Sequence, residues 1–188
     1  MKTSFILNTV AALALTSSIA SAAIYKVDTS HSNVGFKVKH MMISNVNGKF
    51  AEFDGTFDIT DGKFVSLDGT VKTATIDTDN EKRDGHLRSA DFFDAAKYPA
   101  ITFKMTKQEG DKVYGNLTIK DVTKPVILDA ELSGEAKDPW GNIRSAFVLE
   151  GKIDRKDFGL TWNKALEAGG VLVGDTIKII VEAQGIRQ

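Results

Sequence analysis

From Ile24 onward, apolar and polar residues alternate with a period of two through one segment after another. Val34, Phe36, Val38 and His40 share one parity, opposite Gly35, Lys37 and Lys39. Ile101, Phe103 and Met105 alternate with Thr102, Lys104 and Thr106. Val113, Gly115, Leu117 and Ile119 follow the same rule, as do Phe147, Leu149, Gly151 and Ile153, and then Ile177, Ile179, Val181 and Ala183. Successive side chains of a strand point to opposite faces, so this pattern predicts half-buried antiparallel strands with one apolar face. Turn signals separate them at Asp61-Gly62, Gly110-Asp111, Lys124-Pro125 and Asp138-Pro139-Trp140-Gly141.

The run 46–59 carries a parity switch: Phe50 is even, whereas Phe53, Gly55, Phe57 and Ile59 are odd. One extra residue at a bulge or bend flips every later side chain, and Gly48 and Gly55 are read as easing that bend. Long bent antiparallel strands with one apolar face close into a barrel. The main interruption is 78–98. Thr78-Asp79-Asn80-Glu81 has capping-box spacing, which predicts a short helix over 81–89 before Pro99 enforces extended chain. A second irregular stretch, 157–174, carries Trp162. The expected fold is an all-β, extended antiparallel barrel of about eight strands with one short helical insertion, in one domain over 23–188.

Residues 1–22 read as a cleavable secretory signal peptide, with Lys2, a mostly apolar stretch over 5–15, and Ala20-Ser21-Ala22 as the cleavage pattern. The apolar stretch is shorter than the roughly 20 residues of a spanning helix. Export to the periplasm is expected, with no integral membrane segment after cleavage. The absence of cysteine excludes thiol nucleophiles, disulfides and Cys-ligated metals. A formal charge of −1 gives no electrostatic basis for nucleic-acid binding. Lysine, aspartate and glutamate crowd the polar parity, and setting each cation in hydrocarbon costs roughly 2–4 kcal/mol at mid-bilayer. The apolar face therefore points inward.

Eleven Phe against three Tyr make an interior poor in polar tips, suited to a hydrocarbon. A tube of strands eight to ten residues long is about 25–30 Å deep at roughly 3.3 Å per residue. The candidate cavity residues are Phe36, Val38, His40, Phe50, Phe53, Phe57, Phe103, Met105, Leu117, Phe147, Trp162 and Ile179.

The string His31-Ser32-Asn33-Val34-Gly35-Phe36-Lys37-Val38-Lys39-His40 resembles the start of the YceI-like family. So do Arg83-Asp84-Gly85-His86-Leu87-Arg88-Ser89-Ala90-Asp91-Phe92-Phe93-Asp94, the segment Gly115 to Val126, and Ile153-Asp154-Arg155-Lys156-Asp157-Phe158-Gly159-Leu160. These segments run in order through nearly all of the chain after residue 22. Asp121 stands where glycine is expected, at a turn. The resemblance implies a lipocalin-like barrel that binds a polyisoprenoid or another long-chain lipid, without catalytic residues or cofactor. Some relatives are linked to alkaline or acid stress.

Four polar residues are head-group candidates. His31 precedes the regular strand, and Arg83, His86 and Arg88 lie on the helix, where they are read either as facing an anionic head group or as paired with nearby acids. His40 is read either as a head-group contact or as a hydrogen-bonded rim histidine. The alternative is an enzyme in the same barrel, with His31, His40 and His86 as metal ligands or acid–base groups, although no H-x-x-x-H spacing occurs. A homodimer through the patch around Ile127 is left open.

Overall fold

The computed structural model describes residues 23–167 and 169–188, so the segment read as a signal peptide lies outside the described residues. The strands are β1 (Ala23–Val27), β2 (Asn33–His40), β3 (Ser44–Phe50), β4 (Phe53–Thr60), β5 (Lys63–Lys72) and β6 (Ile76–Asp77). After the helix α1 (Glu81–Arg88) come β7 (Ala100–Glu109), β8 (Lys112–Ile119), β9 (Val122–Leu132), β10 (Ala136–Lys137), β11 (Ile143–Asp154) and β12 (Val173–Arg187). Every pairing is antiparallel, and the order β11-β9-β8-β7-β5-β4-β1-β12 closes on itself through β11–β12. That ring is an eight-stranded barrel.

Its length comes from β12. One edge of this 15-residue strand pairs with β11, while the other pairs with β1 at Gly185–Arg187 and with β2 between Val173 and Glu182. β2 and β3 thus form an upper storey above the ring. The parity switch in 46–59 is the step between storeys: Ala51 and Glu52 separate β3, paired to β2, from β4, paired to β1. Gly48 has a different role from the one expected. A Cβ there would stand 2.3 Å from the Phe36 ring, so Gly48 is the seat of that ring across the β2–β3 pair.

The apolar parity points inward, and the outer face carries cross-strand ion pairs such as Lys26–Asp54 at 3.3 Å and Lys178–Glu150 at 2.8 Å. Two local features depart from the sequence reading. The cap of α1 is Asn80, whose side-chain oxygen accepts from Arg83 N at 3.0 Å. Asp79 turns the chain at φ 58, and Thr78 lies buried beneath it, with its N–H donating to Asp84 at 3.0 Å. Pro125 lies inside β9, opposite Asn116. Proline is tolerated there because β9 meets β11 only at Asp129–Leu132, so the edge at Pro125 needs no donor. Arg155 is buried: its guanidinium donates to the carbonyls of Gly174 (3.0 Å) and Leu160 and pairs with Asp175 at 3.1 Å. Together these bonds hold β12 to the end of β11.

The β2–β3 turn is strained. Met41 and Met42 adopt φ 51 and 65, and Ile43 N donates to His40 O at 3.2 Å. This left-handed pair has the geometry that Asn-Gly normally supplies in two-residue hairpins. Each such non-glycine residue costs roughly 1–2 kcal/mol.

The lower end is tied by Arg144, which donates to Asp28 at 2.7 Å, Gln184 at 2.7 Å and Asp138 at 2.8 Å. Hydrogen bonds from Ser30, Arg144 and His31 hold the Asp28 carboxyl well below the usual carboxylate range. A depressed folded pKa contributes stability above the unfolded value of about 4, and loses it as pH falls toward the folded value. Arg144→Met is therefore expected to lower the melting temperature at pH 6, with the gap to wild type narrowing as pH falls from about 4 toward 2. Thermal melts at a series of pH values check this; a gap that stays constant to the acid limit contradicts the ion-pair account.

Candidate functional site

The barrel interior has three parts. At the bottom, Tyr25 and Phe57 stack at 5.0 Å with 8° between planes, and Phe64 and Phe147 meet Phe57 edge-on at 6.1 and 5.0 Å. With Leu67, Val113, Leu128 and Leu149 they fill the base. Burial and the Glu135 carboxylate, which accepts the Tyr25 hydroxyl, push that phenol up to about 12. It stays neutral beneath the core.

Above this plug lies an inner chamber of about 190 Å³. Phe36, Phe50, Phe53, Phe103, Leu117, Phe147 and Ile179 line it, so these residues stand where the alternation placed them. Gly69 also lines it, and a Cβ built there meets nothing within 4 Å. Two strands along, on β8, Gly115 receives the Phe103 ring, 2.3 Å from where its Cβ would be.

An outer chamber of about 670 Å³ follows. Val38, His40, Val46 and Val173 form one side of it, and Leu87, Phe92 and Trp162 the other. Phe36 borders both chambers, its ring 6.0 Å from Phe50. α1 and the turns after it lay Leu87 and Phe93 against Phe50 and Ile76, beside the edge of β3. The outer chamber has a basic rim: Lys39, His40, Lys82, Arg83 and His86 line it, and none of the lining residues is acidic. His86 meets Trp162 at 4.8 Å and Phe92 at 5.0 Å, both perpendicular, and bonds Asp91 at 2.8 Å. Arg83 spends two donors on Thr78, both at 2.7 Å. Among the described residues Lys39 and Lys82 have no ion-pair partner. Asn163 fixes the loop that closes this side, bonding Val173 in both directions at 2.7 and 3.0 Å.

Four expected site residues stand elsewhere. Phe57 is fully buried in the base and does not line either chamber. Met105 packs against the same base from the lower part of β7. Both share the inward parity, but their height on the strand puts them below the cavity. His31 is exposed beside Asp28, at 3.0 Å, at the opposite end of β2 from His40. Nine residues of extended chain separate the two by roughly 25–30 Å, so the histidines do not converge on one metal. Arg88 turns away from the outer chamber and donates to Ile76 O at 3.4 Å, bordering an acidic surface recess with Asp77, Asp79 and Asp84. Alternation did not reveal Gly69, Lys39, Lys82 or Leu87. A glycine or an outward-parity lysine gives no periodic signal.

A closed antiparallel barrel with a plugged base, an apolar chamber and an open polar rim defines the class of hollow, ligand-enclosing β-barrels. The YceI-like domain matches residues 25–185, and the chain belongs to that family. It is 41% identical over 197 residues to Protein YceI of Salmonella newport, covering 100% of both chains. The crystal structure of the Campylobacter jejuni YceI protein is 39% identical, with a TM-score of 0.69 over 86% of this chain and 96% of that one. A polyisoprenoid binding domain from Saccharophagus degradans, implicated in plant cell wall breakdown, shares the fold alone at 15% identity, with a TM-score of 0.64 over 87% of this chain and 98% of that one.

Proposed function

We propose that this chain is an exported, periplasmic carrier that sequesters a long-chain amphiphile of the polyisoprenoid kind, its tail in the inner chamber and its polar head at the basic rim. The observation that carries this reading is the change of chemistry between two neighbouring chambers that share Phe36, from hydrocarbon walls around Phe103 and Ile179 to the cations Lys39, Lys82 and Arg83. The inner chamber, about 190 Å³, is smaller than the roughly 300–1,000 Å³ of ordinary small-molecule sites. A long chain therefore occupies both chambers and passes Phe36. Each methylene withdrawn from water contributes about 0.8 kcal/mol, so about ten give some 8 kcal/mol gross before the cost of association. Binding of this kind needs no catalytic group. The polyisoprenoid ligand named for the Saccharophagus domain of like fold agrees with it. The signal-peptide pattern of residues 1–22 supports export.

The test is native mass spectrometry of protein purified from its own cell envelope, with solvent extraction of the same sample. The expected result is a mass above that of the polypeptide and an extractable long-chain lipid. A bare polypeptide mass under gentle conditions, with nothing extractable, overturns the proposal.

A further inference from the structure

The β2–β3 turn carries three consecutive exposed apolar side chains, Met41 at 41%, Met42 at 61% and Ile43 at 83%. They project from the rim of the outer chamber: His40, just before them, lines it, as does Leu172, whose carbonyl accepts from Met41 N at 2.8 Å. Met42 rests beside Gly170 of the facing loop, yet it and Ile43 remain mostly exposed. The left-handed backbone at Met41 and Met42 suits Asn-Gly, yet the chain keeps two methionines there, both exposed to water. Apolar groups held on a strained tip point to an external partner.

The charge around the tip says which partner. The chain as a whole is nearly neutral at −1, yet Lys39, Lys82 and Arg83 gather on the outer chamber, whose lining includes no carboxylate. Lys164 stands on the facing loop, which is joined to the turn through Leu172; Glu167 is the acid on that loop. A second copy docked through the same tip would bring two sets of these cations together, because a two-fold interface sets identical patches face to face. An anionic bilayer surface instead meets both the cations and the apolar tip.

We propose that the Met41–Ile43 turn is a membrane-docking site. Its side chains enter the acyl boundary of an anionic leaflet while Lys39, Lys82, Arg83 and Lys164 meet lipid phosphates, which sets the open chamber against the surface from which an amphiphile is drawn. This rests on the carrier reading above.

Every described strand lies between Ala23 and Arg187, so the assay uses the chain from Ala23 onward, free of the apolar first 22 residues. Flotation is measured with vesicles of phosphatidylethanolamine and phosphatidylglycerol and with vesicles of phosphatidylcholine alone. The variant is M41N/M42G/I43S, which supplies the residues this turn geometry favours, so its melting temperature is expected to equal or exceed that of the parent chain. The parent chain is expected to float with the anionic vesicles, less so at high salt and less so on phosphatidylcholine, and the variant to bind at least about tenfold more weakly. Equal flotation of parent and variant overturns the proposal. So does a parent chain that stays off both vesicles, including the case where sedimentation shows the tip pairing two copies. Uptake of a soluble fluorescent polyprenyl probe, measured without vesicles, reads the carrier proposal separately. Unchanged uptake with no flotation sinks docking alone, whereas flotation without uptake sinks the carrier.

Discussion

Replacing Gly69 by leucine is expected to abolish ligand loading while leaving the barrel folded. Gly69 lies on β5 between the inward Leu67 and Val71, borders the inner chamber, and has open space where its side chain would grow. The isobutyl group fills volume that a ligand tail requires, in a chamber of only about 190 Å³. The backbone has no objection, because glycine inside a strand is entropically costly and leucine is not. Affinity for a polyprenyl probe should fall at least about tenfold, a change of about 1.4 kcal/mol or more, with the melting temperature unchanged or raised. Gly115→Ala is the contrasting control. Its Cβ would stand 2.3 Å from the Phe103 ring and 2.8 Å from the Lys104 carbonyl, so it should destabilise by about 1–3 kcal/mol. Fluorescence titration and thermal melts measure both. Full loading of Gly69→Leu means that the inner chamber is not where the tail goes.

Phe57→Ala should do the reverse, costing stability rather than capacity. Phe57 is fully buried, stacked on Tyr25 and met edge-on by Phe64 and Phe147. Removing a buried phenyl ring costs about 3–5 kcal/mol in lost transfer energy and unfilled space. That is a large share of the roughly 5–15 kcal/mol that holds an ordinary domain together. Gly185 adds to the penalty, because it lacks a Cβ to make room for the Phe57 ring: a Cβ there would lie 2.5 Å away. Denaturant unfolding should show the loss, while the molecules that remain folded load the probe as before, since Phe57 borders neither chamber. A change below about 1 kcal/mol is incompatible with a plugged base, given what buried aromatic truncations cost elsewhere.

How far the sequence could be read depends on the kind of signal each residue gives. Phe36, Phe103, Leu117, Phe147 and Ile179 were legible as inward residues because period two is a local property of strands. Phe57 and Met105 obeyed the same parity and were still misplaced, since parity gives the face of a strand and not the height along the barrel axis. His31 and His40 fall near the two ends of β2, and strand pairing sets His40 opposite Val173, where it lines the outer chamber. The Met41–Met42 turn was illegible for a different reason. The usual glycine or asparagine is missing, and the chain takes up the strain instead. Pro125 misled in the opposite direction, marking a turn in sequence but lying at a locally unpaired edge of β9.

The chain alone determined its class: alternation of this regularity builds antiparallel strands, the parity switch near Ala51 bends them, and the inward face must be the phenylalanine-rich one. It also determined the family, because the matching segments run in order. The tertiary structure alone decided that the barrel is plugged below and hollow above, that Phe36 stands between two chambers, and that the lysines of β2 and α1 meet at one rim. A cavity is a place that side chains from distant strands fail to fill. Gly69 on β5, Phe103 on β7 and Ile179 on β12 bound the same space, and no local pattern in any one of these strands encodes how far apart the others stand.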